Sequence, residues 1–447
     1  MKKKFLKYVI PSVIAMWVYS LYTMVDGIFV AKGVGETALA AVNISMPYVN
    51  AVFAVAILFA IGTSTIASIH LSNKEVKEAS KLFTMNMIIL ALISLSITVL
   101  LFFNLDSIAY FLGATDKTII YVKEYLGTIS LFSVFAVLSY YFEVLVKTDG
   151  YPQLSTIGVC ISAVSNIILD YIFVIKLGFG VRGAAVATGI SQMLACSVYI
   201  YHFINVDSKI KFVRFKFDFS LLKRAVPIGL SDFVTELSSG FIIFMFNRII
   251  LKNIGEIGII TYTVIMYVNN LVLMTMAGIS QGTQPLVSYY YGRDDKKTYT
   301  YFLKTAVKAV AFISLGIYAF SMLFAENING IFIRRDEIEL FNYSIKAFRL
   351  YVMVYLVVGF NIVVVGFYSA IERPLYSMIL SACRGLVIII PTLLMMSELF
   401  GENGIWISSF VSEAICLIIG GIIFVKFFFN DLFVDLQIKN TVAETYD

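Results

Sequence analysis

The sequence predicts an all-α polytopic membrane protein, with twelve transmembrane helices in two six-helix lobes related by a parallel internal repeat. Three observations support this fold class. Of the 447 residues, 60% are hydrophobic and only 14% are charged, and the mean hydropathy is +0.88, whereas soluble domains carry about 25% charged residues. The apolar residues occur in runs that are long enough to cross a bilayer. Finally, the second half of the chain repeats the pattern of the first.

Twelve apolar segments are expected to span the membrane. The first follows the basic start Met1-Lys-Lys-Lys, but it is too long for a signal peptide and lacks a small-residue cleavage site, so we expect an uncleaved span. The eighth is too long for a straight span and should be tilted, broken or extended beyond the bilayer. The predicted spans are residues 10–30, 44–69, 83–104, 125–147, 155–176, 184–204, 225–251, 259–290, 302–325, 346–370, 376–397 and 404–429.

Basic residues are concentrated on one side of these predicted spans. The positive-inside rule makes that side cytoplasmic, so we expect both termini in the cytoplasm of a cell that carries the protein in its plasma membrane. We interpret the clusters as topology signals and expect no nucleic-acid partner. The residues concerned are Lys2, Lys3, Lys4, Lys7, Lys74, Lys77, Lys81, Lys209, Lys211, Arg214, Lys216, Lys223, Arg224, Arg293, Lys296 and Lys297. The four cysteines are scattered through apolar runs, which indicates neither a disulfide framework nor a zinc site.

The two halves align with an offset of 216–223 residues. Pro11 falls on Pro227, Gly62 on Gly282, and Gln192 on Glu413. Because each repeat holds an even number of spans, both repeats enter the membrane in the same orientation, which predicts a pseudo-two-fold axis along the membrane normal and a binding site between the halves. The predicted division is an N-terminal lobe at 1–204, a basic cytoplasmic linker at 205–224, a C-terminal lobe at 225–429 and a cytoplasmic tail at 430–447.

Ionisable side chains within the spans are candidate functional residues, because a charge in the membrane interior is costly. Asp26 lies in span one, and Asn166 and Asp170 share one face of span five. Asp26, Asp170 and Thr188 each lie about five residues from the outer end of a span, roughly 7 Å deep. Two carboxylates, an amide oxygen and a hydroxyl at one depth favour a site for a proton or a hard cation such as Na⁺. The alternative is that each acid reaches headgroup water independently.

A second group of intramembrane side chains is expected to contact a substrate. Asp232 and Glu236 are four residues apart in span seven, and Glu236 lies near the midplane. We expect Glu236 to face a central cavity, and a paired packing carboxylate is the alternative. Met274 and Gln281 of span eight are placed at the same cavity, although methionines at such positions often only pack.

Several other polar residues receive less specific interpretations. Glu143 lies close to the inner end of span four, where it is either solvated or functional. Two further sets are assigned by their distance from span ends. Lys147, Arg373 and Arg384 are expected to be cytoplasmic anchors, and His70 and His202 are expected to be solvated.

The motifs of the chain resemble the multidrug and toxic compound extrusion (MATE) family from Pro11 to about Phe428. The first repeat carries Val25-Asp-Gly-Ile-Phe-Val30, Leu39-Ala-Ala-Val, Asn166-Ile-Ile-Leu-Asp170 and Gly183-Ala-Ala-Val-Ala-Thr188. The second carries Gly278-Ile-Ser-Gln-Gly-Thr-Gln-Pro285, Tyr289-Tyr-Tyr-Gly292 and Gly404-Ile-Trp406, and Phe233-Val-Thr-Glu236-Leu-Ser with Phe246-Asn247 is similar to the branch of bacterial drug exporters. One departure is Lys147, where the family more often has arginine.

The resemblance implies a secondary antiporter that exports cationic, amphipathic small molecules against inward flow of H⁺ or Na⁺. It implies Asp26, Asn166, Asp170 and Thr188 as the coupling residues. Under the repeat Asp26 falls on Ile242, so the coupling site is expected in the N-terminal lobe alone. The alternative is a flippase for lipid-linked oligosaccharide or another lipid precursor, whose anionic cargo needs basic residues in the cavity.

Further expectations follow from the same interpretation. No nucleophile motif or phosphate-binding loop indicates an enzyme, and no cofactor is expected besides the coupling ion. The expected partners are the cationic substrates and membrane lipid, and the protein is expected to be a monomer. Two close carboxylates cannot both stay charged cheaply in a pocket of low dielectric constant, so one should hold a proton unless Na⁺ binds.

Overall fold

The computed structural model describes residues 1–205 and 207–444, with side chains for all of these except Glu36 and residues 427–444. Residues 445–447 of the predicted tail therefore lie outside the described part. The helices are α1 Lys2–Gly33, α2 Glu36–Ser72, α3 Val76–Phe103, α4 Leu105–Phe111, α5 Ile119–Ser130, α6 Ser133–Asp149, α7 Pro152–Asp170, α8 Gly180–Ile204, α9 Phe219–Asn253, α10 Glu256–Tyr291, α11 Lys296–Leu323, α12 Ala325–Phe332, α13 Ile338–Tyr351, α14 Val358–Ala370, α15 Pro374–Ala382 and α16 Ile389–Glu444.

The protein is an all-helical membrane protein with many spans. Ten helical segments of the described chain are long and apolar enough to cross a bilayer, and the pair α5 and α6, bent by 54°, makes eleven if counted as one span. Gly401 interrupts α16 with φ 57° and ψ −136°, a conformation that glycine adopts readily because it lacks a Cβ atom. The predicted eighth span is a continuous helix, α10, of 36 residues.

Three turns of a different helical type extend or join the α-helices. The π-helical turn Tyr171–Lys176 extends α7, the 3₁₀ turn Val352–Leu356 joins α13 to α14, and the π-helical turn Cys383–Val387 joins α15 to α16. Such π turns are rare and frequently occur at functional sites.

Each half of the chain has its own hydrophobic core. One core joins buried side chains of α2, α3, α6 and α8, and a larger one joins helices from α9 to α16. The first turns of α1 belong to the larger core through Phe5, Tyr8 and Val9. The first helix of the chain therefore packs partly in the second half.

The two halves pack closely at the end of the bundle that carries the N-terminus, which we call the basic end. A methyl group on Gly282 of α10 would lie 2.8 Å from Val9 Cα of α1. A methyl group on Gly62 of α2 would lie 2.8 Å from the carbonyl carbon of Ala225 in α9, and closer still to its oxygen. Val9 and Ala225 are equivalent under the repeat, as are Gly282 and Gly62. The same contact therefore occurs twice with the halves exchanged.

The next turn of these helices repeats this exchanged contact. A methyl group on Gly278 would lie 2.7 Å from Val13 Cα, and one on Gly229 would lie 2.7 Å from the carbonyl carbon of Leu58. Because residue i of one half meets residue j of the other and the reverse contact also exists, the packing has the form of an isologous two-fold interface.

The connection between α8 and α9 lies against the N-terminal half at the basic end. Asp149 accepts hydrogen bonds from Ser208 Oγ at 3.0 Å and from the backbone nitrogens of Lys209 at 2.9 Å and Ile210 at 3.1 Å. His202 Nε2 lies 2.8 Å from the same carboxylate, and His202 is buried, so the expectation that it is solvated is wrong. Hydrogen bonds from Ser220 and Lys81 lower the pKa of Asp218 to about 2.

Candidate functional site

Three helix segments meet at the acids of the N-terminal half. Asp26 lies in the second half of α1, Asp170 is the last residue of α7, and Thr188 lies two turns into α8. The π-helical turn begins directly after Asp170, and Gly33 allows α1 to approach it, because a methyl group there would lie 2.6 Å from Val174 Cγ1. Asp170 is fully buried at the junction of these segments.

The structure brings the four predicted ion-site residues together. Asn166 Nδ2 donates to Thr188 Oγ1 at 3.3 Å, which joins α7 to α8. The carboxyl groups of Asp26 and Asp170 lie within hydrogen-bonding reach of each other, which joins α1 to α7. Asn166 and Asp170 are separated by one helical turn, so the two contacts share one face of α7.

This group has an excess of hydrogen-bond acceptors. Asp26 Oδ1, Asn166 Oδ1 and both carboxylate oxygens of Asp170 are buried and have no hydrogen-bond donor among the described residues. A buried acceptor without a partner costs about 1–3 kcal/mol, and more if it is charged. Ionised carboxylates accept hydrogen bonds but donate none. A proton or a small cation at this point would satisfy several of these oxygens at once.

Three residues around the acids are absent from the sequence-based prediction. Tyr22 and Tyr125 are buried and lie within electrostatic range of Asp26, and Tyr125 is also near Asp170. Gln192 Nε2 donates to the Tyr22 hydroxyl at 3.5 Å. The sequence spacing could have indicated two of them, because Tyr22 lies one helical turn before Asp26 and Gln192 lies one turn after Thr188. No such signal exists for Tyr125, which is brought in from α5.

Asp232 and Glu236 of α9 face the N-terminal half. Glu236 is half-buried and lies within electrostatic range of Tyr19 in α1 and Tyr140 in α6, and Asp232 is also near Tyr140. Phe53 of α2 stacks on Tyr19 with a centroid separation of 6.2 Å and lies 4.7 Å from the centroid of Tyr140. Acids of the second half therefore face an aromatic cluster of the first.

A small cavity adjoins this aromatic cluster between α2, α5 and α6. It is lined mainly by apolar side chains, with Phe53 and Tyr48 on one wall and Ile129 and Val137 on the other. An apolar cavity beside aromatic rings and carboxylates suits a cation with a hydrophobic body.

Met274 and Gln281 lie on α10. In the described part of the chain, neither is hydrogen-bonded to Asp232 or Glu236. Met274 is half-buried, and Gln281 Oε1 is a buried acceptor without a partner. The adjacent contacts of α10 are to α1, where Trp17 Nε1 donates to Thr275 Oγ1 at 2.8 Å. The prediction for these two residues remains untested.

Two basic residues that were expected to be cytoplasmic anchors are instead paired in the interior. Lys147 is 1% exposed, and its Nζ lies 2.9 Å from Glu143 Oε1, which also accepts from Ser155 Oγ at 3.1 Å. Arg384 makes a bidentate contact with Glu413. Glu143 lies one turn before Lys147 on α6, whereas Glu413 lies 29 residues from Arg384, so no local pattern indicates the second pair.

A multi-span helical protein with two repeated halves and buried acids has the features of a membrane transporter. The chain belongs to the MatE family, whose model matches residues 11–172 and 227–394. The matches begin at Pro11 and Pro227, the positions that the internal repeat pairs, so each half carries the family pattern. The prediction of a MATE transporter, and not an enzyme, is confirmed.

Curated relatives and solved structures agree with this assignment. The chain is 24% identical over 425 residues to the multidrug export protein MepA of Staphylococcus saprophyticus, covering 93% of this chain and 91% of that protein. It is 25% identical over 426 residues to MepA of Staphylococcus aureus, with the same coverage. A crystal structure of a MATE protein in complex with MaL6 matches with a TM-score of 0.89 at 24% identity, and an outward-facing multidrug resistance MATE transporter matches with 0.88 at 24%, each over 94% of both chains. At this identity the solved structures establish the fold alone.

Proposed function

We propose that the protein is a secondary active exporter of cationic, amphipathic small molecules, driven by inward flow of H⁺ or Na⁺. The similarity to MepA proteins, which are multidrug exporters, supports the direction and the substrate class. The observation that carries the ion coupling is the group of buried acceptor oxygens on Asp26, Asn166 and Asp170 without a donor. One net charge moving inward per transport cycle across 100 mV supplies about 2.3 kcal/mol, enough for a substrate gradient of roughly fifty-fold.

In this proposal Asp26 and Asp170 bind the coupling ion. If the ion is H⁺, a proton shared between the two carboxyl groups removes the repulsion of two close charges. If it is Na⁺, the carboxylates and the Asn166 and Thr188 oxygens supply hard ligands. Either ion would draw α1 towards α7, since Asp26 and Asp170 lie on these two helices.

We further propose that Glu236 and Asp232 recognise the substrate's positive charge while Tyr19, Phe53 and Tyr140 contact its apolar body. A cation over an aromatic face gains about 0.5–2 kcal/mol, and the gain is larger where water is excluded from the site. Met274 and Gln281 would extend this surface along α10. The alternative flippase needs free basic side chains for an anionic cargo, whereas Lys147 and Arg384 are each paired with a glutamate.

The architecture that fits this function has twelve spans in two lobes, residues 1–204 and 225–429, joined by the linker 205–224. Counting α5 with α6 as one span and dividing α16 at Gly401 gives twelve. The exchanged contacts at Gly62 and Gly282 fit a two-fold axis between the lobes. We place the basic end and both termini in the cytoplasm of a monomer in the cell membrane. Because the lobes are packed at this end, the structure fits a state that opens outward.

The proposal is tested by uptake of a cationic dye into inverted vesicles with an imposed pH gradient or, separately, an imposed sodium gradient, because export is directed into the lumen of such vesicles. We expect one of the two gradients to drive export of a cationic dye. Asp26→Asn and Asp170→Asn should each abolish gradient-driven export while the purified proteins still bind the dye at equilibrium. The matched control is Asp116→Asn, since Asp116 is exposed. Export at the wild-type rate by either interior variant would remove that carboxylate from the coupling site.

A further inference from the structure

The C-terminal half contains a largely buried guanidinium that is paired with a glutamate. Arg384 lies in the π-helical turn between α15 and α16, and its side chain is 13% exposed. Its Nε lies 3.0 Å from Glu413 Oε2, and its Nη2 lies 3.0 Å from Glu413 Oε1, which is the bidentate geometry of a strong pair. Asp232 of α9 is within electrostatic range of the same guanidinium.

The acid of this pair is held in place independently of Arg384. Asn361 Nδ2 of α14 donates to Glu413 Oε2 at 2.6 Å and to the Glu413 backbone oxygen at 2.8 Å. Asp232 Oδ2 accepts from Ser231 Oγ at 3.2 Å, and Ser231 is bonded to Ser369 at 3.1 Å. Helices α14 and α16 therefore position the Glu413 carboxylate, and the π-helical turn places the guanidinium beside it.

The repeat shows that this cation has no counterpart in the N-terminal half. The position opposite Arg384 is Ser162 or Ala163, and the position opposite Glu413 is Gln192. In the N-terminal half the acids Asp26 and Asp170 have no basic partner among the described residues. The acids Asp26 and Asp170 therefore lack a cation, whereas Glu413 of the other half is paired with one that the chain supplies.

We infer that Arg384 is a tethered cation that fills a monovalent cation site of the C-terminal half, formed by the Glu413 carboxylate. When the guanidinium group is removed, the site binds a free guanidinium ion, whose planar fork matches the Glu413 carboxylate. A filled site in this half restricts ion coupling to the N-terminal half. The inference goes beyond the proposed function, and its test measures binding without transport, so it can fail while the exporter proposal stands.

The test is Arg384→Ala in the purified full-length protein, with the thermal unfolding midpoint followed during titration with millimolar guanidinium chloride at constant ionic strength. Removing one partner of a buried pair leaves an unpaired charge and lowers the midpoint by several degrees. We expect guanidinium to restore at least about half of that loss with saturation. Sodium chloride in place of guanidinium should restore less.

Two matched proteins complete the experiment. Wild-type protein, whose site is filled, and the double variant Arg384→Ala with Glu413→Gln, whose site lacks its main ligand, should show no saturable rise. A rise in all three proteins, a rise with sodium alone, or no rise in Arg384→Ala would overturn the inference. If Arg384→Ala cannot be purified, its recovery as monodisperse protein is measured with guanidinium present from extraction onwards. Recovery with guanidinium alone supports the site, and no recovery with any cation rejects it.

Discussion

The exchanged glycine contacts at the basic end lead to a sharp prediction about conformational balance. Gly62→Ala places a methyl group within 2.8 Å of the Ala225 carbonyl carbon in the other half. The obstacle is backbone, which cannot rotate away, so α2 and α9 must separate. If export requires the halves to part at this end, the substitution destabilises the packed state and leaves the separated state unaffected.

The size of the effect follows from the contact and from a control without one. Overpacking of this kind costs about 1–3 kcal/mol, which corresponds to a shift of roughly 5- to 150-fold in the balance between the two states. Alanine also strengthens a helix by about 0.5–1 kcal/mol relative to glycine, but this gain is common to both states. Gly240→Ala in α9 measures this gain in helix stability alone, because a methyl group there meets nothing within 4 Å.

The assay measures exposure of the second, equivalent interface. A cysteine replaces Val13, which faces Gly278 across α1 and α10, in a background where the four native cysteines are serine. We expect Gly62→Ala to raise the rate of labelling by a water-soluble maleimide by at least about fivefold, and Gly240→Ala to leave it unchanged. Equal rates in Gly62→Ala and Gly240→Ala would refute the argument that this contact holds the halves together.

Three further predictions concern single side chains. Glu236→Gln should raise the apparent KM for a cationic dye more than it alters the dependence on the coupling ion, and unchanged dye affinity would leave Glu236 a packing residue. Thr188→Val keeps the side-chain shape but removes the hydroxyl that accepts a hydrogen bond from Asn166. Efflux by this variant should therefore need about tenfold more coupling ion, which corresponds to a loss of about 1.4 kcal/mol in ion binding. Half-maximal efflux at the same ion concentration in the variant and the wild type would contradict this. Asp149→Asn should lower the unfolding free energy by about 2–4 kcal/mol through its lost charged hydrogen bonds, whereas Asp207→Asn, at an exposed position, should cost less than about 0.5 kcal/mol in thermal unfolding.

The parts of the site that could be predicted from the sequence are those encoded at short range. Asn166 and Asp170 share a face because of helical periodicity, and their depth relative to Asp26 follows from distance to the span ends. The structure brings these residues together with Thr188. Tyr125 could not be predicted, because it arrives from a helix that is separate in sequence and carries no local signal.

The incorrect predictions have a common physical cause. The sequence predicts Lys147 and Arg384 at the membrane surface, because an isolated charge in an apolar run is too costly to bury. Each side chain instead pairs with a glutamate in the interior, which offsets much of that cost. Glu143 lies one turn from Lys147, so the first pair had a local signal. Glu413 is 29 residues from Arg384, so only the fold brings the second pair together.

A single helix connects the proposed ion site to the interface between the halves. In α1, Val13 contacts Gly278 of the other half, and Asp26 lies thirteen residues later, about 20 Å along the helix axis. A coupling ion bound by Asp26 and Asp170 ties the far end of α1 to α7, and a tilt of α1 about that point moves Val13 against α10. The contact at Val13 is backbone to backbone, so the packing is either closed or open and does not deform gradually. Ion binding in one half can therefore bias an interface that both halves share, which is the two-state element that coupling requires.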